Sequence, residues 1–142
     1  MGALDRFRLD GRTALVTGGS RGLGFAIAAA LADAGADLVL VARDPDRLAR
    51  AADDLATRTG RRVKIVPGDL STTAGAAAAV GAALNQTPAI DVLINNVGGR
   101  RRDVPTEDVP VDDWRAFFDL NLTSALVCCQ AVGRGMLERG RG

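Results

Sequence analysis

Apolar residues gather in four short runs, and each run is followed by a stretch with helical spacing. Thr13–Thr17 predicts a first strand, and Leu23–Ala34 predicts a helix that Gly35 ends in a left-handed conformation. Asp37–Ala42, "DLVLVA", is continuously apolar through its middle, the pattern of a strand buried on both faces. Asp44 and Pro45 open a second helix as N-cap and first helical residue. Leu48, Ala51, Ala52 and Leu55 recur there at helical spacing until Gly60. Val63–Val66 predicts the third strand, and Ser71 caps an alanine-rich helix to Asn85 that Gly75 and Gly81 weaken. Ile90–Ile94 predicts the fourth strand. A basic, proline-spaced loop over residues 98–113 then leads to a long last helix, Trp114 to Arg139. Along it Trp114, Phe118, Asn121, Ala125, Cys128, Val132 and Met136 recur at steps of three and four, a stripe expected to be buried.

Such alternation predicts an α/β fold: a doubly wound parallel sheet of four strands in order 3-2-1-4, with right-handed crossovers and helices on both faces. Residues 1–142 are expected to form one domain. In sheets of this kind ligands sit outside the carboxyl ends of the strands. There fall "TGGSRGLG" at 17–24, Arg43, Asp69 and "NNVGG" at 95–99.

Gly18, Gly22 and Gly24 lie between the first strand and the first helix, the context of a dinucleotide-binding loop. Free amides at the helix start, with the positive end of its dipole, suit a pyrophosphate. A plain structural turn is the alternative. A triphosphate-binding loop is excluded, because no Gly-Lys-Ser/Thr ending follows. The second strand ends Val41-Ala42-Arg43, with no carboxylate at position 42 to accept a ribose hydroxyl and a guanidinium just after it. Arg21 is a second cation in the same region. Together they favour NADP(H) over NAD(H), since the guanidinium fork matches phosphate oxygens. Arg43 as a solvated charge is the competing reading, and Asp44 could in principle serve the hydroxyl, though its expected place is the helix cap.

Composition narrows the classes. A chain of 142 residues, 47% apolar and 25% charged, suits a soluble globular domain. Its net charge of +1 gives no field for nucleic acid or an anionic membrane. The longest uninterrupted apolar run, Phe25–Ala32, falls short of the ~18 residues a membrane span needs. The charged start lacks the core of a signal peptide, and Arg6 breaks a myristoylation signal, so a cytoplasmic location is expected. Cys128 and Cys129 are adjacent and the chain has no histidine, which argues against a metal site; both thiols read as buried and inert.

Taken together, Thr17-Gly18-x-x-x-Gly22-x-Gly24, Asp69-Leu70, Asn95-Asn96-Val97-Gly98 and Asn121 in "DLNLTSAL" resemble the short-chain dehydrogenase/reductase family. The nearest likeness is to NADP-dependent 3-oxoacyl-carrier-protein reductases and related ketoreductases. The resemblance implies a Rossmann-type fold and an oxidoreductase acting on a small-molecule carbonyl or alcohol. It assigns Gly18, Ser20, Arg21, Gly22, Leu23 and Gly24 to the cofactor loop, and Arg43 to the 2′-phosphate. Asp69 would hold the adenine amino group, Leu70 its flank, and Asn96 and Gly98 the ribose near the nicotinamide. Val97 departs from the family's usual alanine. Asn121 becomes the residue whose carbonyl holds a water of the proton relay; a satisfied structural asparagine is the alternative. Family members commonly pair through this helix and its predecessor, so a homo-oligomer through the last two helices is expected, with Phe117, Leu122 and Leu126 as added apolar surface.

The family's serine and Tyr-x-x-x-Lys pair are missing: the chain has no tyrosine, and its single lysine is Lys64. The expectation is therefore the amino-terminal, truncated half of a reductase, inactive alone. A noncatalytic dinucleotide-binding module and an inactive remnant of the family are the alternatives.

Overall fold

The computed structural model describes residues 2–99 and 103–142. Four parallel strands form one sheet: β1 (Thr13–Thr17), β2 (Asp37–Ala42), β3 (Val63–Pro67) and β4 (Val92–Ile94), in order β3-β2-β1-β4. Helices α1 (Gly22–Asp33), α2 (Pro45–Thr59) and α3 (Thr73–Gln86) make the crossovers. The sheet order and helix layers are those the sequence predicts.

Strand alternation divides the core in two. Ala14, Val16, Leu38 and Leu40 face α1 and α2, where they meet Ala28, Ala32, Leu48 and Leu55. Leu15, Val39 and Val41 face the opposite layer, with Ala76, Val80, Cys128 and Val132. Both central strands are thus covered twice, which is why "DLVLVA" has no polar interruption. At the β3 edge, exposed Lys64 and Pro67 blunt the strand against pairing with another chain.

Several boundaries differ from the expected ones. β4 begins at Val92 because the Asp91 carboxylate takes the Thr13 N–H at 3.0 Å just before pairing starts. Thr72, not Ser71, caps α3: its Oγ1 accepts the Gly75 N–H at 3.0 Å, while the Ser71 N–H bonds Asp69 Oδ1. Gly75 is also no weakness, since a Cβ there would collide with the Asp69 carbonyl. Of the two thiols, Cys128 is buried and its pKa is pushed up to about 11 by desolvation and then by the neighbouring Cys129. Cys129 is instead exposed and accepts the Asn95 amide at 3.2 Å.

The last helix runs from residue 111 to 139 in three parts: α4 (Val111–Phe118), a π turn (Asp119–Thr123) and α5 (Ser124–Arg139). The extra residue in the wide turn rotates the two halves out of one stripe. Ser124, Cys128 and Val132 are buried, whereas Trp114 is 47% and Phe118 40% exposed, against expectation. By length and composition alone this helix is long and apolar enough to cross a membrane, which uninterrupted run length missed because polar residues such as Asp119, Asn121, Thr123 and Gln130 break it. The arginines at 100–102 of the basic loop lie outside the described residues.

At the amino end of the sheet two buried carboxylates are held by arginines. Asp37 accepts Arg62 Nη2 at 2.7 Å, Arg62 N–H at 3.1 Å and Arg61 Nη2 at 3.0 Å. Asp91 accepts Arg12 and Arg141, each at 3.3 Å, besides Thr13. Burial pushes both carboxyls up. For Asp37 the Arg62 bonds, and for Asp91 the Thr13 amide and Arg12, outweigh it and hold each below the ordinary value of 3.8. A depressed folded pKa stabilises the fold above the unfolded value and loses that contribution as pH falls. Thermal stability is therefore expected to drop between about pH 5 and pH 3, and Asp91→Asn to flatten that limb while lowering the melting temperature at pH 7. Parallel acid limbs in the two proteins' pH–melting profiles would contradict this.

Candidate functional site

The site grows from the end of β1. Thr17 is buried, and its Oγ1 accepts the N–H groups of Asn96 at 3.0 Å and Val97 at 3.2 Å while donating to the Ile94 carbonyl at 3.3 Å. This hydroxyl ties the loop after β4 to the glycine loop after β1. The Gly18 N–H donates to the Val41 carbonyl at 2.7 Å, which binds the same loop to β2. Three strand ends are thereby held together around one opening.

The glycines have separate roles. Gly18 and Gly22 have φ of +68° and +56°, a left-handed backbone that favours glycine. Gly24 is needed for contact instead. A Cβ there would strike the Gly18 carbonyl and lie 2.5 Å from Asn96 Nδ2. No side chain caps α1 at Arg21, unlike α2 and α3, which Asp44 and Thr72 cap. The first-turn amides of α1 have no acceptor within the helix and stand at its positive end.

The opening is a cleft of about 870 Å³ over the carboxyl ends of the strands. Gly18, Ser20, Arg21, Gly22, Arg43, Asp69, Leu70, Asn96 and Gly98 line it. Leu23 and Gly24, expected in the same loop, are not among its lining; Leu23 is 70% exposed and Gly24 packs behind Gly18. The Asn96 amide points under the glycine loop, donating to the Gly18 carbonyl at 3.4 Å, and its backbone N–H is taken by Thr17, so neither donor is turned to the cleft that the residue lines. Asp69 Oδ1 accepts the Ser71 N–H at 2.9 Å, which shapes the turn after β3.

Asn121 lies in the π turn and is not among the residues lining the cleft, although its neighbour Leu120 is. Its Oδ1 accepts the Gly99 N–H at 3.0 Å, and its Nδ2 donates to the Phe117 carbonyl at 2.9 Å. The Ser124 hydroxyl donates to the Leu120 carbonyl at 2.7 Å. Side chains thus satisfy carbonyls near the wide turn, and Asn121 couples that turn to the "NNVGG" loop. A Cβ on Gly98 would come within 2.9 Å of Asn121 Oδ1.

Residues not singled out in the sequence also line the cleft, Arg47, Gly68 and Leu120, together with Ala42, Ser71 and Gly99. Arg47 had one available signal, its place three residues after the N-cap Asp44, on the turn that faces the strand ends. The donor set fits a phosphorylated dinucleotide. The uncapped amides at the start of α1 suit a pyrophosphate, three arginines (Arg21, Arg43 and Arg47) line the cleft, and an added Cβ on Gly22 would meet nothing within 4 Å. Among the described residues no group of three or more acidic, cysteine or histidine side chains could hold a metal.

The family model described as short chain dehydrogenase matches residues 12–142. The chain is 39% identical over 139 residues to D-threitol dehydrogenase of Mycolicibacterium smegmatis, covering 96% of this chain and 52% of that protein. It is 41% identical over 128 residues to the rhamnolipids biosynthesis 3-oxoacyl-[acyl-carrier-protein] reductase of Pseudomonas aeruginosa, covering 89% and 48%. A gluconate 5-dehydrogenase from Burkholderia cenocepacia, solved in complex with NADP and tartrate, superposes with a TM-score of 0.87 at 39% identity, over 99% of this chain and 55% of that one. The chain therefore spans about half the length of the relatives it matches. A glycine loop opening onto the strand ends of a 3-2-1-4 sheet is thus joined to a family match over nearly every residue, and the chain belongs to the short-chain dehydrogenases.

Proposed function

We propose that this chain is the NADP(H)-holding domain, over residues 1–142, of a cytoplasmic oxidoreductase that interconverts a small-molecule ketone or 3-oxo group and its alcohol. The observation carrying this reading is the clustering of Arg21, Arg43 and the uncapped start of α1 on one cleft. Solved relatives that hold NADP support it. When bound, the cofactor supplies the hydride. The glycine loop at Gly18, Ser20, Arg21 and Gly22, kept closely packed by Gly24 and flanked by Leu23, cradles the pyrophosphate. Arg43 binds the 2′-phosphate, Asp69 and Leu70 seat the adenine, and Asn96 and Gly98 line the nicotinamide ribose. Asn121 positions a water through its backbone carbonyl while its side chain holds the loop at Gly99. Exposed Leu122 and Leu126 on the last helix support pairing with a second copy.

Replacing Arg43 by a neutral residue is expected to weaken NADPH binding by ~1–3 kcal/mol through loss of a charge-assisted contact, with NADH binding unchanged. Fluorescence titration of both cofactors against both proteins tests it. Equal affinities before and after the change would leave Arg43 a solvated charge.

A further inference from the structure

Asp44 raises a conflict that the cleft must resolve. It lines the cleft one residue beyond Arg43, at the end of β2. A carboxylate in that region accepts a free ribose hydroxyl and repels a 2′-phosphate. Asp44 has little room to swing away, because its Oδ1 accepts the Arg47 N–H at 3.0 Å as the cap of α2. The Arg47 backbone bond also holds the Asp44 carboxyl below its ordinary range, so it stays ionised at neutral pH. One turn into the helix, Arg47 Nε comes within 3.7 Å of Asp44 Oδ2, and Arg47 lines the same cleft.

We propose that Arg47 sets the preference for the phosphorylated cofactor indirectly, by neutralising Asp44 so that the N-cap carboxylate neither repels a 2′-phosphate nor serves a free hydroxyl. The inference rests on the reading of this cleft as an NADP(H) site. Arg47 is then a positioning residue: Arg43 meets the phosphate, and Arg47 cancels the charge beside it. Both side chains of the pair are about half exposed, so the interaction adds little to fold stability, and its effect is on the local field. A direct bond from Arg47 to the phosphate is the competing arrangement, and the two differ in how Arg47 and Asp44 couple.

The test is a double-mutant cycle on the chain, read by NADPH and NADH titration, with melting curves for every variant. Arg47→Ala should weaken NADPH about tenfold and leave NADH within about twofold, narrowing the preference. Asp44→Asn keeps a good N-cap while removing the charge, and it should tighten NADPH. In that background Arg47→Ala should cost clearly less than in the unsubstituted chain, since only the guanidinium's own longer-range attraction for the phosphate is lost. Arg47→Lys, which keeps the charge, should keep most of the preference. An equal loss from Arg47→Ala with and without the Asp44 charge would overturn the inference in favour of direct contact. Equal loss of both cofactors would overturn it as well, leaving Arg47 a support of the loop. An unsubstituted chain that folds and binds neither cofactor would instead defeat the reading of the cleft itself.

Discussion

Gly24→Ala is expected to weaken NADPH binding at least tenfold and to lower stability by about 1–3 kcal/mol, the usual range for overpacking a tight contact. The new methyl would meet the backbone carbonyl of Gly18, which cannot give way as a side chain could, and also the end of the Asn96 side chain. Relief requires α1 to move off β1 or the glycine loop to open. Either displaces the first-turn amides that face the cleft, and with them the Asn96 bond to Gly18. Gly22→Ala makes a useful contrast, since its Cβ would meet nothing and its cost would come from a φ of +56° alone. Thermal melts and cofactor titration of the two variants separate contact from backbone strain. A Gly24→Ala protein with unchanged melting and unchanged affinity would show that the loop does not depend on close packing.

With NADPH and a panel of activated ketones, the 142-residue chain is expected to show no turnover above background. Hydride delivery to a carbonyl leaves negative charge on oxygen, which needs a proton donor within about 3 Å. The chain has neither tyrosine nor histidine. Lys64, its single lysine, is engaged on the β3 edge, donating to the Gln86 carbonyl at 2.5 Å and to Thr87 Oγ1 at 2.9 Å. It is not among the residues lining the cleft. Asn121 can order water and is not itself an acid. Loss of a general acid costs roughly 10²–10⁴-fold in rate, and loss of substrate positioning adds to that. The same assay on a full-length relative supplies the reference rate. Robust turnover by this chain would overturn the argument, while cofactor binding without turnover would agree with it.

Local signals made much of this protein legible in its sequence. Strand runs, the Asp44–Pro45 helix start and the Gly60 stop depend on near neighbours; the four strands appear in the expected order, with β4 starting two residues late, and α2 begins and ends where the pattern put it. The glycine loop was readable for the same reason, because its strand-to-helix context is contiguous. What the tertiary structure decided depends on residues brought together across about eighty positions. Thr17 gathers Asn96, Val97 and Ile94 on one hydroxyl, and the Asn96 side chain turns under Gly18 rather than into the cleft. Asn121 finds Gly99, and the π turn carries Trp114 and Phe118 out of the stripe that periodicity assigned them. A period of 3.6 residues cannot register one inserted residue whose carbonyls are satisfied by side chains. Arg47, likewise, is a surface helix residue in sequence, and it belongs to the site because the crossover brings the start of α2 over the strand ends.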